Sequence, residues 1–155
     1  MPKRAVEERI RDFGEVALGY DLSQATEEAG RCLQCKNPKC VEGCPVGVEI
    51  PRFVKKIAER DFEGAIRAIK EKNSLPAVCG RVCPQEDQCE ANCVLGRKGE
   101  PLAIGALERF AADLELKSGV RMPALPKSTG IKIAVVGSGP AGLTAAGELA
   151  KLGYR

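Results

Sequence analysis

The eight cysteines of this chain lie in two stretches, RCLQCKNPKCVEGCPVGVEIP at residues 31–51 and LPAVCGRVCPQEDQCEANC at residues 75–93. Each stretch holds four of them, and a proline directly follows Cys44 in the first and Cys83 in the second. Because the residue before a proline avoids helical geometry, the chain is expected to turn away at both points. The cysteines stand at positions 32, 35, 40, 44, 79, 83, 89 and 93.

Two groups of four thiols are enough ligands for two tetrahedral metal sites. Zinc and iron-sulfur clusters both accept four thiolates. Structural zinc sites usually pair two Cys-x-x-Cys knuckles, whereas here one knuckle, Cys32 to Cys35, is followed by single cysteines and then by Cys44-Pro45. That order is typical of ferredoxin-type iron-sulfur proteins. We therefore predict two 4Fe-4S clusters, with a zinc-stabilised docking module, a disulfide scaffold and free thiols as the alternatives.

Composition excludes several other classes of function. The formal charge of +3 is the difference between 24 basic and 21 acidic residues, without long blocks of like charge, so nucleic acid is not an expected partner. The sequence has no histidine, so sulfur must carry any metal site. The opening MPKRAVEERI lacks the apolar core of a secretory signal, and no apolar run approaches the roughly 20 residues that span a bilayer. We predict a cytoplasmic protein that does not enter membranes.

Apolar periodicity predicts a mainly helical domain over residues 1–122. Proline in a first turn and Ser or Asp as a cap indicate where helices begin. The first predicted helix covers residues 4–17, with Ile10, Phe13, Val16 and Ala17 on its apolar face, and the second runs from Ser23 as the cap to Arg31. Pro51 opens a third, with Phe53, Val54, Ile57 and Ala58 on its apolar face. Two more run from the Asp61 cap to about Lys72 and from Pro101 to about Lys117.

A second pattern follows a Pro- and Gly-containing linker at residues 123–130. The run IKIAVV at 131–136 predicts a buried parallel strand, GSGPAG follows it, and a helix is predicted from Ala141 to Leu152. Glycines in a G-x-G-x-x-G pattern between strand and helix are typical of dinucleotide binding, because they allow a tight turn and a close approach of the pyrophosphate. The predicted nucleotide-binding residues are Gly137, Gly139, Pro140, Ala141 and Gly142.

This glycine-containing segment is expected to be the start of a larger domain. Residues 131–155 are 25 residues, while a βαβ unit needs roughly 30 or more. The acidic residue that holds the ribose should lie roughly 20 positions after the loop, beyond Arg155. We therefore expect a piece of a longer enzyme that is not catalytically competent alone. Val135 and Val136 would then leave an apolar strand edge unpaired, which predicts self-association.

Four motifs together carry a resemblance to a known family: the two cysteine stretches, AIGALERF at 103–110 and VVGSGPAGL at 135–143. The chain resembles the N-terminal iron-sulfur domain of the small subunit of NADPH-dependent glutamate synthase. The same module is similar to parts of an electron-bifurcating ferredoxin:NADP oxidoreductase, in its large subunit, and of dihydropyrimidine dehydrogenase. The resemblance implies an alpha-helical, ferredoxin-like double-cluster domain followed by the first β-α unit of a truncated Rossmann-like FAD domain.

The resemblance also implies which side chains bind iron. The ligands in that family interleave, so that the last cysteine of the second stretch joins the first group, and a side-chain oxygen takes one position. Cys79 would then be spare. From spacing alone, a self-contained quartet of Cys79, Cys83, Cys89 and Cys93 is the simplest prediction, and Glu108 is expected to be a solvated carboxylate on a helix face. The implied ligands are Cys32, Cys35, Cys40 and Cys93 for one cluster, and Cys44, Cys83, Cys89 and Glu108 for the other.

The implied activity is electron transfer within a larger oxidoreductase. NADPH or NADH would reduce FAD in the full-length protein, and the clusters would pass single electrons to a large redox subunit. That partner is either the large subunit of glutamate synthase or a ferredoxin-linked one. An independent ferredoxin-like carrier is disfavoured by the glycine pattern that follows the linker.

Overall fold

The computed structural model describes residues 1–120 and 122–155, which divide into two compact units, Met1–Ser118 and Gly119–Arg155. Across these described ranges the chain is mainly helical and forms no β-strand, and no helix combines the length and apolar character needed to cross a membrane. The helices are α1 (Val6–Arg9), α2 (Leu22–Gly30), α3 (Lys39–Glu42), α4 (Ile50–Ala58), α5 (Phe62–Lys70), α6 (Pro76–Val82), α7 (Ile104–Ser118) and α8 (Pro140–Lys151), with 3₁₀ turns at Gln85–Asp87 and Val94–Arg97.

The core of the first unit lies between α2, α4, α5 and α7. The predicted apolar face of α4 is confirmed, since Phe53, Val54 and Ile57 are buried. Phe62 and Phe110 meet edge to face with ring centroids 5.5 Å apart, which joins α5 to α7. Each fully buried large apolar side chain contributes about 1.5–3 kcal/mol relative to exposure, so these contacts hold the loops between the helices in place.

Side chains cap the starts of α2 and α5, and one of these caps differs from the prediction. Asp61 caps α5 as predicted, with its Oδ1 accepting a hydrogen bond from Gly64 N at 2.8 Å. The cap of α2 is Asp21, not Ser23. Asp21 Oδ1 accepts from Gln24 N at 2.8 Å, and Gln24 Oε1 accepts from Asp21 N at 3.1 Å. This reciprocal pair satisfies two backbone donors, so the helix begins before Ser23.

The predicted helix over residues 4–17 is wrong beyond its first turn. Only α1 is helical, and the chain then folds back, with Arg4 N donating to Val16 O at 2.9 Å. Asp12 fixes this turn, because its carboxylate pairs with Arg4 at 2.7 Å and accepts from Gly14 N at 2.7 Å. Phe13, predicted to face a core, is fully exposed.

Helix α7 begins at Ile104, three residues after the predicted start at Pro101. The backbone N–H groups at its start donate to side chains of earlier elements. Leu102 N donates to Cys93 Sγ at 3.4 Å, and Ala103 N donates to Glu28 Oε1 at 2.8 Å. Gly105 N donates to Glu90 Oε1 at 3.0 Å. Donors that would otherwise lack partners are thereby satisfied, and the start of α7 is fixed against α2 and the second cysteine stretch.

Helix α6 is absent from the predicted helices, although Pro76 stands in its first turn as Pro51 does in α4. It places Cys79 on a helix rather than in a loop. Gly80 lets α6 approach α7 closely, since a Cβ at this position would lie 2.6 Å from Arg109 N. The close approach brings Cys79 and the middle of α7 together.

In the second unit the predicted helix is confirmed as α8, but the predicted strand at 131–136 is not formed. A strand needs a neighbour with a matching row of backbone groups, and the described residues offer little more than Arg155. Arg155 N donates to Ile131 O at 3.1 Å, and Ile133 N donates to Arg155 O at 2.7 Å. The backbone of 131–136 is otherwise without a strand partner in this unit.

Candidate metal centres

The cysteines of the first unit, none of which forms a disulfide, line two cavities. Each cavity takes cysteines from both stretches of sequence. Ile50 and Ile104 line both cavities and form a wall that they share. The first cavity, of about 30 Å³, is lined by Cys32, Cys35, Cys40 and Cys93. The second, of about 120 Å³, is lined by Cys44, Cys79, Cys83, Cys89, Glu108 and Asn73.

The first cavity lies between the end of α2 and the start of α7. Cys32 follows α2, Cys40 belongs to α3, and Cys93 precedes the 3₁₀ turn at Val94–Arg97. Burial raises the pKa of Cys32, and burial followed by the charge of Cys32 raises the pKa of Cys40 to about 11. Without a cation beside them, these sulfurs stay protonated at neutral pH. A metal would supply the positive charge that makes thiolates favourable here.

The second cavity lies between the Cys44 loop, α6 and α7. Cys44 Sγ accepts a hydrogen bond from Val48 N at 3.5 Å. Burial raises the pKa of Cys83 to about 11, with neighbouring Cys79 as the next cause, and burial raises the pKa of Cys89 to about 12. Backbone donors aimed at sulfur, at Cys44 here and at Cys93 in the first cavity, suit thiolates that carry negative charge.

Glu108 is partly buried on the face of α7 that lines the second cavity, so it is not a carboxylate on a solvated helix face. Burial raises its pKa to about 7, and a hydrogen bond from Asn73 Nδ2 to Glu108 Oε1, 2.7 Å long, acts in the opposite direction. A carboxylate in this position needs a nearby positive charge to be stable at neutral pH. An iron atom would provide one.

The donor set and its layout fit iron-sulfur clusters. Soft thiolates are the ligands of such clusters, and each cavity is bordered by four cysteines. Within residues 1–120 and 122–155, no three His, Cys, Asp or Glu side chains are arranged to hold a single metal ion. The cysteines instead surround a cavity, which is the layout that a ligand larger than one ion requires.

The cysteine set that spacing alone left open, Cys79, Cys83, Cys89 and Cys93, is not brought to one cavity. Cys93 lies at the first cavity, whereas Cys44 lies at the second. Sequence reasoning missed Asn73, which is buried between α5 and α6 with only 7% of its surface exposed. The one indication in the sequence is that this polar residue stands between two largely apolar helices.

The glycine loop of the second unit is built around the start of α8. Gly137 has φ +114°, a conformation that residues with a Cβ rarely adopt. A Cβ at Gly142 would collide with Gly137 O, so the third glycine lets α8 pack on the loop. Gly139 is the N-cap, with open space around it, and Pro140 and Ala141 form the first turn. Backbone N–H groups at such a helix start favour anionic groups.

Comparison with known protein families decides the class. Residues 9–120 match the family model described as dihydropyrimidine dehydrogenase domain II, 4Fe-4S cluster. The chain belongs to this family. The predicted resemblance and the prediction of a 4Fe-4S domain are thereby confirmed, and the zinc and disulfide alternatives lose their support.

Curated relatives of this 4Fe-4S domain extend the similarity over nearly the whole chain. It is 38% identical over 154 residues to the glutamate synthase [NADPH] small chain of Azospirillum brasilense, covering 98% of this chain and 32% of that protein. It is 40% identical over 140 residues to the NAD-dependent dihydropyrimidine dehydrogenase subunit PreT of Escherichia coli K12, covering 90% of this chain and 34% of that protein. The chain therefore spans about a third of the length of these relatives.

Proposed function

We propose that this 4Fe-4S domain carries two clusters and transfers single electrons between a flavin site and a partner redox subunit. The observation that carries the proposal is the pair of cysteine-lined cavities on either side of a shared wall. Cys32, Cys35, Cys40 and Cys93 would hold one cluster. Cys44, Cys83, Cys89 and Glu108 would hold the other, with Cys79 as a non-ligand beside it.

When bound, the clusters would supply one-electron redox chemistry, and the residues around them would set its energetics. Hydrogen bonds from Leu102 N to Cys93 and from Val48 N to Cys44 stabilise negative charge on sulfur, which favours the reduced state. Because Glu108 replaces a thiolate in one ligand set, the two clusters would have unequal reduction potentials.

The second unit would begin a Rossmann-like domain for FAD. Under this proposal residues 1–122 are the cluster domain, 123–130 a linker and 131–155 the first β-α unit, with Gly137, Gly139, Pro140, Ala141 and Gly142 facing the pyrophosphate. Support comes from the geometry at the start of α8, where Gly137 and Gly139 have open space around them and Gly142 lets α8 pack on the loop. The strand at 131–136 would form once neighbouring strands of such a domain are present.

The reaction of the whole enzyme would start from NADPH or NADH and end on a partner subunit. Relatives named as a small chain of NADPH-dependent glutamate synthase and as an NAD-dependent dihydropyrimidine dehydrogenase subunit support a subunit role of this kind. The acceptor would be a large subunit such as that of glutamate synthase, or a ferredoxin-linked partner. Electron transfer of this kind would take place in the reducing cytoplasm, where the thiols stay available for iron.

Metal analysis of three anaerobically purified proteins tests the assignment. The unmodified protein is expected to be brown and to carry about eight iron and eight sulfide per chain, as two 4Fe-4S clusters require. Cys93→Ala removes a proposed ligand and is expected to lower both values to about half. Cys79→Ala is the matched control, and it is expected to retain them.

Three results would contradict the proposal. Colourless protein that contains zinc would mean that the cysteines bind a structural metal and not iron-sulfur clusters. About half the iron in the unmodified protein would mean one cluster rather than two. Loss of iron in Cys79→Ala together with retention in Cys93→Ala would reject the assigned ligand sets.

A further inference from the structure

Asn73 connects the two side chains that compete for one position at the second cavity. It lies between α5 and α6, is buried, and lines that cavity together with Glu108 and Cys79. Its Nδ2 donates to Glu108 Oε1 at 2.7 Å. Its Oδ1 accepts from Leu75 N at 2.9 Å and from Cys79 Sγ at 3.5 Å.

The orientation of the Asn73 amide is determined by its neighbours. The backbone N–H of Leu75 is a donor only, so the amide atom that faces it must be oxygen. The NH₂ group then points to Glu108. Rotating the amide by half a turn would set two donors against each other at Leu75 and two oxygens against each other at Glu108. The observed orientation is therefore the stable one.

In this orientation, Asn73 is a hydrogen-bond donor to Glu108 and a hydrogen-bond acceptor from Cys79. Its NH₂ group holds Glu108 Oε1 at 2.7 Å, which fixes the carboxylate at the second cavity. Its Oδ1 accepts from Cys79 Sγ at 3.5 Å, which keeps the thiol directed at Asn73. The second cavity has five potential metal ligands, four cysteines and Glu108, whereas a 4Fe-4S cluster has four iron corners to be bound. A selecting group is needed, and Asn73 contacts both candidates.

We propose that Asn73 is a positioning residue that selects the Glu108 carboxylate over the Cys79 thiol as the fourth ligand at the second cavity. The inference rests on the proposed function, in which this cavity holds a cluster. Removing the amide permits ligand exchange. Cys79 would then hold the iron in place of Glu108, and its thiol proton would pass to the released carboxylate. Iron keeps its oxidation state, so no oxidant or reductant is consumed.

The test is the electron paramagnetic resonance signal of the reduced protein, recorded with its iron content. Asn73→Ala is expected to keep about eight iron per chain but to change the signal of one cluster. Glu108→Ala leaves Cys79 as the available ligand, so its signal is expected to match that of Asn73→Ala. Adding Cys79→Ala to Asn73→Ala prevents the exchange and is expected to restore the original signal. Asn37→Ala, an exposed asparagine, serves as the control that changes nothing.

The inference is overturned if Asn73→Ala leaves the signal unchanged, or if the change persists once Cys79 is also removed, since a purely structural role would give that result. If Asn73→Ala does not fold, Asn73→Asp takes its place, because it keeps the acceptor for Leu75 N and loses the donor to Glu108. An altered signal in Cys79→Ala would mean that Cys79 is already a ligand, and the inference is then wrong. Unmodified protein with only one cluster would instead reject the proposed function, which separates the two failures.

Discussion

Arg109 is a buried charge, with 4% of its surface exposed, in the middle of the helix that carries Glu108. Its guanidinium is held by Glu15 at 3.0 Å and by Asp113 at 3.3 Å. Arg81 shares both carboxylates, at 2.6 Å and 2.9 Å. A buried guanidinium is tolerable only when it is paired, so this network of four residues fixes α7 to α6 and to the N-terminal segment.

Asp113 gives this network a dependence on pH. Burial alone would raise its pKa, but hydrogen bonds from Arg81 and Arg109 outweigh burial and hold the pKa below its usual value. The folded state therefore keeps Asp113 ionised at a pH where the unfolded chain, with a pKa of about 4, is already protonated. Its stabilising contribution is present above about pH 4 and is lost as the pH falls through the lower folded pKa.

We expect Asp113→Asn to lower the free energy of unfolding by about 1–2 kcal/mol at pH 7. The deficit relative to the unmodified protein should begin to shrink below about pH 4 and approach zero once the pH is under the folded pKa, where the carboxylate is neutral in both states. Anaerobic urea unfolding of both proteins at several pH values measures this difference in the free energy of unfolding. Glu59→Gln, in an exposed pair 3.8 Å long, is the control and should change little. A deficit that is the same at all pH values would contradict this explanation.

Sequence alone predicts the chemical type of the site residues better than their surroundings. Cysteines followed by proline indicate soft metal ligands in turns, because both properties are local. The contact of Asn73 with Glu108 is not local, since it spans 35 positions. The burial that separates Glu108 from a solvated carboxylate likewise depends on packing between α5, α6 and α7, which no spacing encodes.

At the scale of elements, the α6–α7 contact determines the geometry of the second cavity. Cys79 lies on α6 and Glu108 on α7, and Gly80 is the point where the two backbones are closest. Since a Cβ there would lie 2.6 Å from Arg109 N and 2.7 Å from Arg109 Cα, it would meet backbone atoms that cannot rotate away. The helices would have to separate to accept it.

Gly80→Ala is therefore expected to cost about 1–3 kcal/mol in the free energy of unfolding, the usual range for overpacking. Gly30→Ala is the matched control. Gly30 ends α2 with no atom within 4 Å of the position that a Cβ would take, and alanine there should be neutral or stabilising by up to about 1 kcal/mol. Chemical denaturation of both variants measures the difference. Equal effects at the two positions would show that close packing at Gly80 is unimportant.

Helix prediction succeeded where local signals were strong and failed where tertiary contacts decide. The Asp61 cap and the Pro51 first turn both mark helices that are present, because each signal acts within one turn. The N-terminal apolar pattern failed because Asp12 and Arg4 fold the chain back on itself. The start of α7 moved because Glu28, far along the sequence, accepts the N–H of Ala103.

At the scale of the whole molecule, the two units differ in how well their apolar groups are covered. The first unit buries a continuous core between its helices. In the second unit Val136 is 98% exposed, and Ile131, Ile133 and Val135 are each more than a third exposed. A segment with exposed apolar side chains, whose backbone has no strand partner, is a template for pairing with a second copy.

We expect this 155-residue chain to self-associate through residues 131–136. Val136→Glu should shift the molar mass from light scattering toward that of the 16.5 kDa monomer, since charge at an open edge blocks pairing. Leu116→Glu, at an exposed leucine of α7, is the control and should leave the mass unchanged. A monomer at all working concentrations would contradict this prediction.

The wall formed by Ile50 and Ile104 has a kinetic consequence. Under the proposed function, an electron that passes between the two clusters would cross this wall without any movement of the chain, so neither diffusion nor a hinge motion would limit that step. The rate of electron transfer would then be controlled by how long each redox partner stays bound to the protein.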